Sequence, residues 1–256
     1  MDTFTFPDGR RINRLGLGVM RFTGQPANFG PYPDWQAGLA LLREAADLGV
    51  QLFDSARAYG PQHADRLLGE ALGDRSDMML ATKGGIDKLS PTEMIRDASP
   101  ERLRAQIEDA RRNLRRDSVD LFQLHWVDPE VPLETSVSAL EQARVRGDIA
   151  RIGLSNVTVE ELERALRIAP IASVQNRLNM DDTEAREMVY LTAAHGIAFL
   201  PYGPLGAHPM RQGAKLDPAQ ALRWLLDLSP NVIPIPGTTN LAHLRANMAT
   251  VRPVSV

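Results

Sequence analysis

Eight short apolar runs, separated by longer amphipathic stretches, constrain this chain more than any other feature of its sequence. They cover residues 14–20, 50–54, 78–83, 119–125, 151–155, 172–176, 197–202 and 232–236. Each is nearly continuous in Val, Ile, Leu and Phe rather than alternating, the pattern of parallel strands buried on both faces. Helical patterns lie between them. Residues 35–48 place Leu39, Leu42 and Ala46 on one stripe with Trp35, and Gly49 ends the stretch as a C-cap. Residues 100–114 open with Ser99 as N-cap and Pro100 at the first helical position, then carry Leu103, Ile107 and Leu114 at helical spacing. Residues 158–166, 183–194 and 218–228 read the same way, and a short helix follows Asn240.

Strict β/α alternation with eight repeats predicts a closed (β/α)8 TIM barrel of the α/β class rather than an open sheet. No stretch has linker composition, so residues 1–256 are expected to form one domain, close to the ~250 residues usual for this fold. Residues 3–6, the Asp8-Gly9 pair and residues 11–13 read as an N-terminal β-hairpin that closes the bottom of the barrel. Gly16-Leu17-Gly18 lacks a third glycine and precedes no helix, so it is not a dinucleotide-binding fingerprint.

Composition excludes several classes of function. A net charge of −3 provides no basic field for nucleic acid or an anionic membrane. The absence of cysteine rules out disulfides, thiolate chemistry and Cys-ligated metals. No run approaches the ~20 apolar residues of a membrane helix, and the first residues do not read as a signal peptide. A cytoplasmic protein is the expectation.

In a (β/α)8 barrel the chemistry sits at the C-terminal ends of the strands. Polar residues stand at most of these ends: Asp54, Lys83, His125, Ser155-Asn156, Gln175-Asn176 and Tyr202. Singly, each has a plain explanation as a loop cap, a solvated charge or a satisfied core histidine. Their coincidence on one mouth does not.

The segment Phe53-Asp54-Ser55-Ala56-Arg57-Ala58-Tyr59-Gly60 resembles the D-x-A/S-x-x-Y-G motif of the aldo-keto reductases. Ala81-Thr82-Lys83-Gly84-Gly85 and Leu121-Phe122-Gln123-Leu124-His125-Trp126 are similar to the lysine and histidine segments of that family, in its order and spacing. Gly153-Leu154-Ser155-Asn156, Val174-Gln175-Asn176 and Ile235-Pro236-Gly237-Thr238 continue the resemblance, which runs from Arg14 to about Asn247. It implies an NAD(P)H-dependent carbonyl reductase with Tyr59 as general acid, assisted by Lys83, Asp54 and His125. The chemistry agrees, because hydride delivered to a carbonyl leaves negative charge on oxygen that must be protonated or held by donors.

The resemblance further implies that Ser155, Asn156 and Gln175 hold the nicotinamide carboxamide and that Tyr202 stacks on the ring. Gly203 and Leu205, with Gly237, Thr238 and Thr239, would wrap the pyrophosphate. Relatives often carry Lys where Gly237 stands and Arg where His243 stands, both aimed at the 2′-phosphate of NADP. Arg245 is a candidate substitute, Asn247 matches a residue used near adenine, and Ala246 replaces a common acidic one. NADPH is the expected cofactor, with NADH compatible.

Met20, Phe22, Trp126 and residues 86–98 are candidate substrate contacts, and the Gly- and Pro-rich loop 24–32 is a candidate cover for the mouth. The short stretch between Gly206 and Pro218 and the end at Val256 imply an open pocket, or one completed by a partner subunit. A monomer acting on a small-molecule carbonyl is the default, an oligomer being compatible. Two other classes are weighed. A metal-dependent hydrolase needs ligand pairs, but His63, His125, His195, His208 and His243 form no H-x-H or H-E-x-x-H motif, so no metal is expected. A cofactor-binding regulatory subunit with little turnover is the alternative function, against which the complete Asp54–Tyr59–Lys83–His125 set argues.

Overall fold

The structure, a computed structural model, describes residues 2–206 and 216–251. Its elements, in chain order, are β1 (Thr3–Thr5), β2 (Arg11–Asn13), β3 (Leu17–Gly18), α1 (Trp35–Asp47), β4 (Leu52–Asp54), α2 (His63–Leu72), β5 (Met79–Gly84), β6 (Ile86–Lys88) and β7 (Met94–Arg96). They continue with α3 (Pro100–Leu114), β8 (Leu121–Leu124), α4 (Leu133–Arg146), β9 (Ile152–Ser155), α5 (Val159–Leu166), β10 (Ile171–Gln175), α6 (Arg186–Ala194), β11 (Ala198–Phe199), α7 (Pro218–Leu228) and α8 (Leu241–Ala249). His208, most of the stretch between Gly206 and Pro218, and the chain end after Val251 lie outside the described residues.

Seven strands pair in parallel in the order β3-β4-β5-β8-β9-β10-β11. The expected eighth strand, residues 232–236, is not a regular strand, yet it closes the barrel. Ile233 N donates to Phe199 O at 2.9 Å on one side, and Pro234 O and Pro236 O accept from Gly16 N and Gly18 N at 2.9 and 3.3 Å on the other. Pro234 and Pro236 have no N–H to return, so a full ladder cannot form. Gly16 and Gly18 make the close approach possible: a Cβ would stand 2.9 Å from Leu52 O at the first and 2.9 Å from Ile235 O at the second. Arg14 reinforces this seam from outside, donating to the carbonyls of Val232, Leu226 and Ser229 at 3.2, 2.7 and 2.6 Å.

The core has two layers. Phe4, Phe6 and Ile12 of the N-terminal hairpin pack with Leu52, Met79, Leu121 and Ile233 inside the barrel, so the hairpin plugs its bottom. Phe53, Leu80, Phe122 and Val174 face outward and pack with Leu42, Leu68, Ile107 and Leu140 of the surrounding helices. Two helices, α2 and α4, add to the six expected. The first has no side-chain N-cap and starts after Gln62 in the left-handed region (φ 62°); the second carries an exposed Val145 that blurs its stripe of Leu133, Val137, Leu140 and Ala143. The hairpin β6–β7, pairing Ile86 with Arg96, was not expected either and rises from the C-terminal end of β5.

Candidate active site

Strand parity builds the site. Successive side chains alternate between the faces of a strand. On β4, Leu52 and Asp54 therefore share the barrel interior while Phe53 faces the helices; on β5, Met79, Ala81 and Lys83 do the same. Leu121 and Gln123 on β8 and Gln175 on β10 complete an inward ring at the C-terminal mouth.

Asp54 is its centre. Its Oδ2 accepts from Lys83 Nζ at 2.7 Å, and its Oδ1 accepts from Gln123 Nε2 at 3.0 Å and Gln175 Nε2 at 2.8 Å. Lys83, only 1% exposed, also donates to the Ser55 carbonyl at 2.8 Å. A buried charge is tolerated only when paired and hydrogen-bonded, and both members of this pair are. Burial opposes the Lys83 ammonium, but Asp54 and then Tyr59 outweigh it and hold its pKa above the ordinary value.

Tyr59 stands on the turn after β4, its ring centroid 5.2 Å from Lys83 Nζ and 6.2 Å from the His125 ring, which it meets edge-on. The turn needs Gly60: its φ is +82°, and a Cβ would lie 2.8 Å from Gly30 O. Burial raises the Tyr59 hydroxyl above its usual pKa while Lys83 pulls the other way, so the proton stays on at neutral pH. Burial, with Lys83 second, holds His125 well below the ordinary histidine pKa, leaving it neutral. The buried His125 Nδ1 has no hydrogen-bond partner, and Asn156 Nδ2 donates to the His125 carbonyl at 3.1 Å. The arrangement comprises a protonated hydroxyl, a buried cation behind it and a neutral imidazole beside it.

The mouth is rimmed by two segments. Lys88 on β6 donates to the carbonyls of Ala27 and Asn28, and Gly30 N donates to Gly60 O at 3.0 Å, so the 24–32 loop is held beside the Tyr59 turn. Trp126 is 37% exposed with the Arg96 guanidinium 4.8 Å over its ring, bringing two candidate pocket segments together. Met20 is partly exposed. Phe22 is not a pocket residue: it is fully buried in the outer core against Tyr32, with ring centroids 5.6 Å apart, and leaves no surface for a substrate. Among the described residues no group of three His, Asp or Glu side chains could hold a metal ion, and no helix is long and apolar enough to cross a membrane.

The Aldo/keto reductase family model matches residues 14–221. This chain belongs to that family. Pyridoxine 4-dehydrogenase of Escherichia coli is 36% identical over 267 residues, covering 97% of this chain and 93% of the relative. The structure of a glycerol dehydrogenase from Gluconobacter oxydans superposes with a TM-score of 0.86 at 25% identity, over 100% of this chain and 91% of that one. An aldo/keto reductase from Klebsiella pneumoniae, solved with NADP and acetate, gives a TM-score of 0.80 at 23% identity over 100% and 91% of the two chains, a likeness of fold.

The residues that the resemblance offers for a cofactor in this aldo-keto reductase lie on the other side of the mouth. Tyr202 donates its hydroxyl to Asn156 Oδ1 at 2.8 Å, and Asn156, in the left-handed region (φ 57°), donates to Ser155 Oγ at 3.0 Å. Neither Ser155 nor Asn156 is a helix cap. Thr158 caps α5 in a reciprocal pair with Glu161. Gln175 gives its amide nitrogen to Asp54, tying this side to the Asp54–Lys83 pair. Gly203 and Gly206 turn at positive φ, with Leu205 partly buried against the outer core. Thr238 Oγ1 accepts from Asn240 N at 3.1 Å, and Asn240 caps α8 by accepting from His243 N at 3.1 Å. Thr239 is partly buried, His243 is exposed and Asn247 is 5% exposed. Arg245, the candidate for a 2′-phosphate, instead pairs with Glu44 at 2.8 Å.

Sequence reasoning missed Gln123, although it stands two residues before His125 and therefore on the same face. It also missed Asp65, buried on α2, which accepts from Thr82 Oγ1 at 2.9 Å and whose carboxyl burial pushes up to about 6. No local pattern marks that residue.

Proposed function

We propose that this oxidoreductase reduces an aldehyde or ketone with NADPH, Tyr59 acting as the proton donor. The buried Lys83, paired with Asp54 at 2.7 Å and lying 5.2 Å from the centre of the Tyr59 ring, is the observation that carries the reading. The amide and hydroxyl groups of Ser155, Asn156 and Gln175 suit a neutral carboxamide, and the face of Tyr202 suits a flat ring. The α8 N-terminus after Gly237-Thr238-Thr239 suits a phosphate, as helix starts after late barrel strands commonly do. A reduced nicotinamide bound there would supply the hydride.

The chain's own residues handle the charge that follows. Negative charge gathering on the carbonyl oxygen draws the proton from Tyr59 Oη, and the Lys83 ammonium favours the tyrosinate left behind. Asp54, fixed by Gln123 and Gln175, keeps Lys83 charged and in place. Neutral His125 offers its ring N–H as a second donor to the same oxygen and orients the substrate. The names of relatives that interconvert alcohols and carbonyls, pyridoxine 4-dehydrogenase and glycerol dehydrogenase, support this class. The reading also includes a monomer, which sedimentation would check.

The test mixes purified protein with NADPH and a panel of aldehydes, a pyridoxal-like one included, and follows loss of reduced-nicotinamide absorbance. Substrate-dependent oxidation is expected. Tight NADPH binding with no oxidation across the panel would favour a regulatory subunit instead.

A further inference from the structure

The proton donor sits on a turn, residues 55–60, that belongs to neither a strand nor a helix. Something outside regular secondary structure must hold it, since misplacement by about 1 Å can lower a rate by ~10²-fold. Arg57, two residues before Tyr59, points away from Lys83 into a cluster of its own. Its side chain is 12% exposed. Its Nε donates to Asp87 Oδ1 at 2.6 Å and its Nη1 to Asp109 Oδ2 at 2.7 Å, which reaches the β6–β7 hairpin with one arm and α3 with the other.

The cluster then returns to the catalytic strands. Asp87 Oδ2 also accepts from Arg102 Nε at 2.7 Å and Gln106 Nε2 at 3.1 Å. Gln106 Oε1 accepts from Gly85 N at 2.7 Å, two residues after Lys83, and Gly84 O accepts from His125 N at 2.9 Å. Arg57 N itself donates to Lys83 O at 3.0 Å. One hydrogen-bonded cluster therefore grips the backbone that carries Tyr59, Lys83 and His125. Arg suits the task better than Lys, because its planar fork reaches two carboxylates at fixed angles.

We infer that Arg57 is a positioning residue, clamping the Tyr59 turn to the β6–β7 hairpin and α3 so that the hydroxyl is held against Lys83. The inference rests on Tyr59 being the proton donor. The experiment measures turnover per NADPH-binding site, with sites counted by fluorescence titration, in Arg57→Met, Asp109→Asn and Tyr59→Phe, and in the double variants that combine Tyr59→Phe with each of the first two. Counting sites removes any loss from unfolded molecules. Arg57→Met is expected to lower turnover per site by about tenfold to a hundredfold while NADPH affinity stays within about twofold. In the Tyr59→Phe background the same change should cost nothing further, because the clamp acts through the hydroxyl. Should Arg57→Met fail to fold, Asp109→Asn, which leaves the Asp87 arm intact, carries the test with a loss of about threefold that likewise vanishes in Tyr59→Phe. Wild-type turnover per site in the clamp variants, or an equal loss in both backgrounds, overturns the role of Arg57 alone. Wild-type turnover by Tyr59→Phe overturns the role of Tyr59 and, with it, the clamp.

Discussion

On the side of the mouth built from β4, β5, β8 and β10, Asp54 collects donors from three strands and Lys83 is sealed from solvent. On the side built from β9, residues 231–236 and α8, Thr238 and Asn240 bond to near neighbours, Asn156 bonds to Tyr202 and to the His125 carbonyl, and Gly237, Asn240 and His243 are exposed. The difference fits the role proposed for each side. A permanently buried ion pair has to be satisfied within the folded chain, so its surroundings are complete without a ligand. Groups proposed to receive a cofactor must leave surface open, as Gly237, Asn240 and His243 do.

Four measurements would break or sharpen this contrast. Tyr59→Phe should lower aldehyde reduction by about 10²–10⁴-fold with NADPH affinity retained, as read by steady-state kinetics and fluorescence titration. A loss of affinity as large as the loss of rate would erase the division between the two sides. Lys83→Met leaves Asp54 buried without its cation and should lower unfolding free energy by about 3–5 kcal/mol in a denaturant titration. A small change there would mean that the completed side is less sealed than the structure shows.

The third concerns Asp65, whose carboxyl is raised from 3.8 to about 6 in the folded chain. The folded state then holds a proton that the unfolded state has lost. Stability from this group is present below pH ~3.8 and falls as pH climbs through about 6, by about 3 kcal/mol in all. Asp65→Asn should remove that fall, so comparing denaturant midpoints of the two proteins from pH 4 to 7 checks it; parallel curves would refute it. The smallest effect belongs to the open side. His243→Arg should tighten NADPH about tenfold and leave NADH unchanged, since only the former carries a 2′-phosphate for a guanidinium to grip. Equal tightening of both would show that residue 243 does not face that phosphate.

Much of this was legible beforehand, for identifiable reasons. The seven paired strands follow the apolar runs because a strand buried on both faces must be apolar throughout. The eighth run was located but not its irregularity, which depends on Pro234 and Pro236 meeting β3 and β11 edge-on. Gly16 and Gly18, a weak cue in one dimension, gain their reason at the same seam. Phe22 looked like a mouth residue by its place after strand β3, but packing against Tyr32 turned it into the core. Helix α2 escaped because it starts on a left-handed glutamine rather than a capping side chain.

What the sequence determined by itself was the candidate set and its order: Asp54, Lys83 and His125 stand at the ends of successive strands, with Tyr59 on the turn after the first, and local periodicity suffices to find a strand end. Only the tertiary structure decided how these residues are held. Gln123 and Gln175 reach Asp54 across 69 and 121 residues of chain, and Arg57 reaches Asp109 across 52. Such bonds depend on strand parity and on the closure of the barrel. Neither is a property of any short stretch of sequence, because each exists only once distant strands lie side by side.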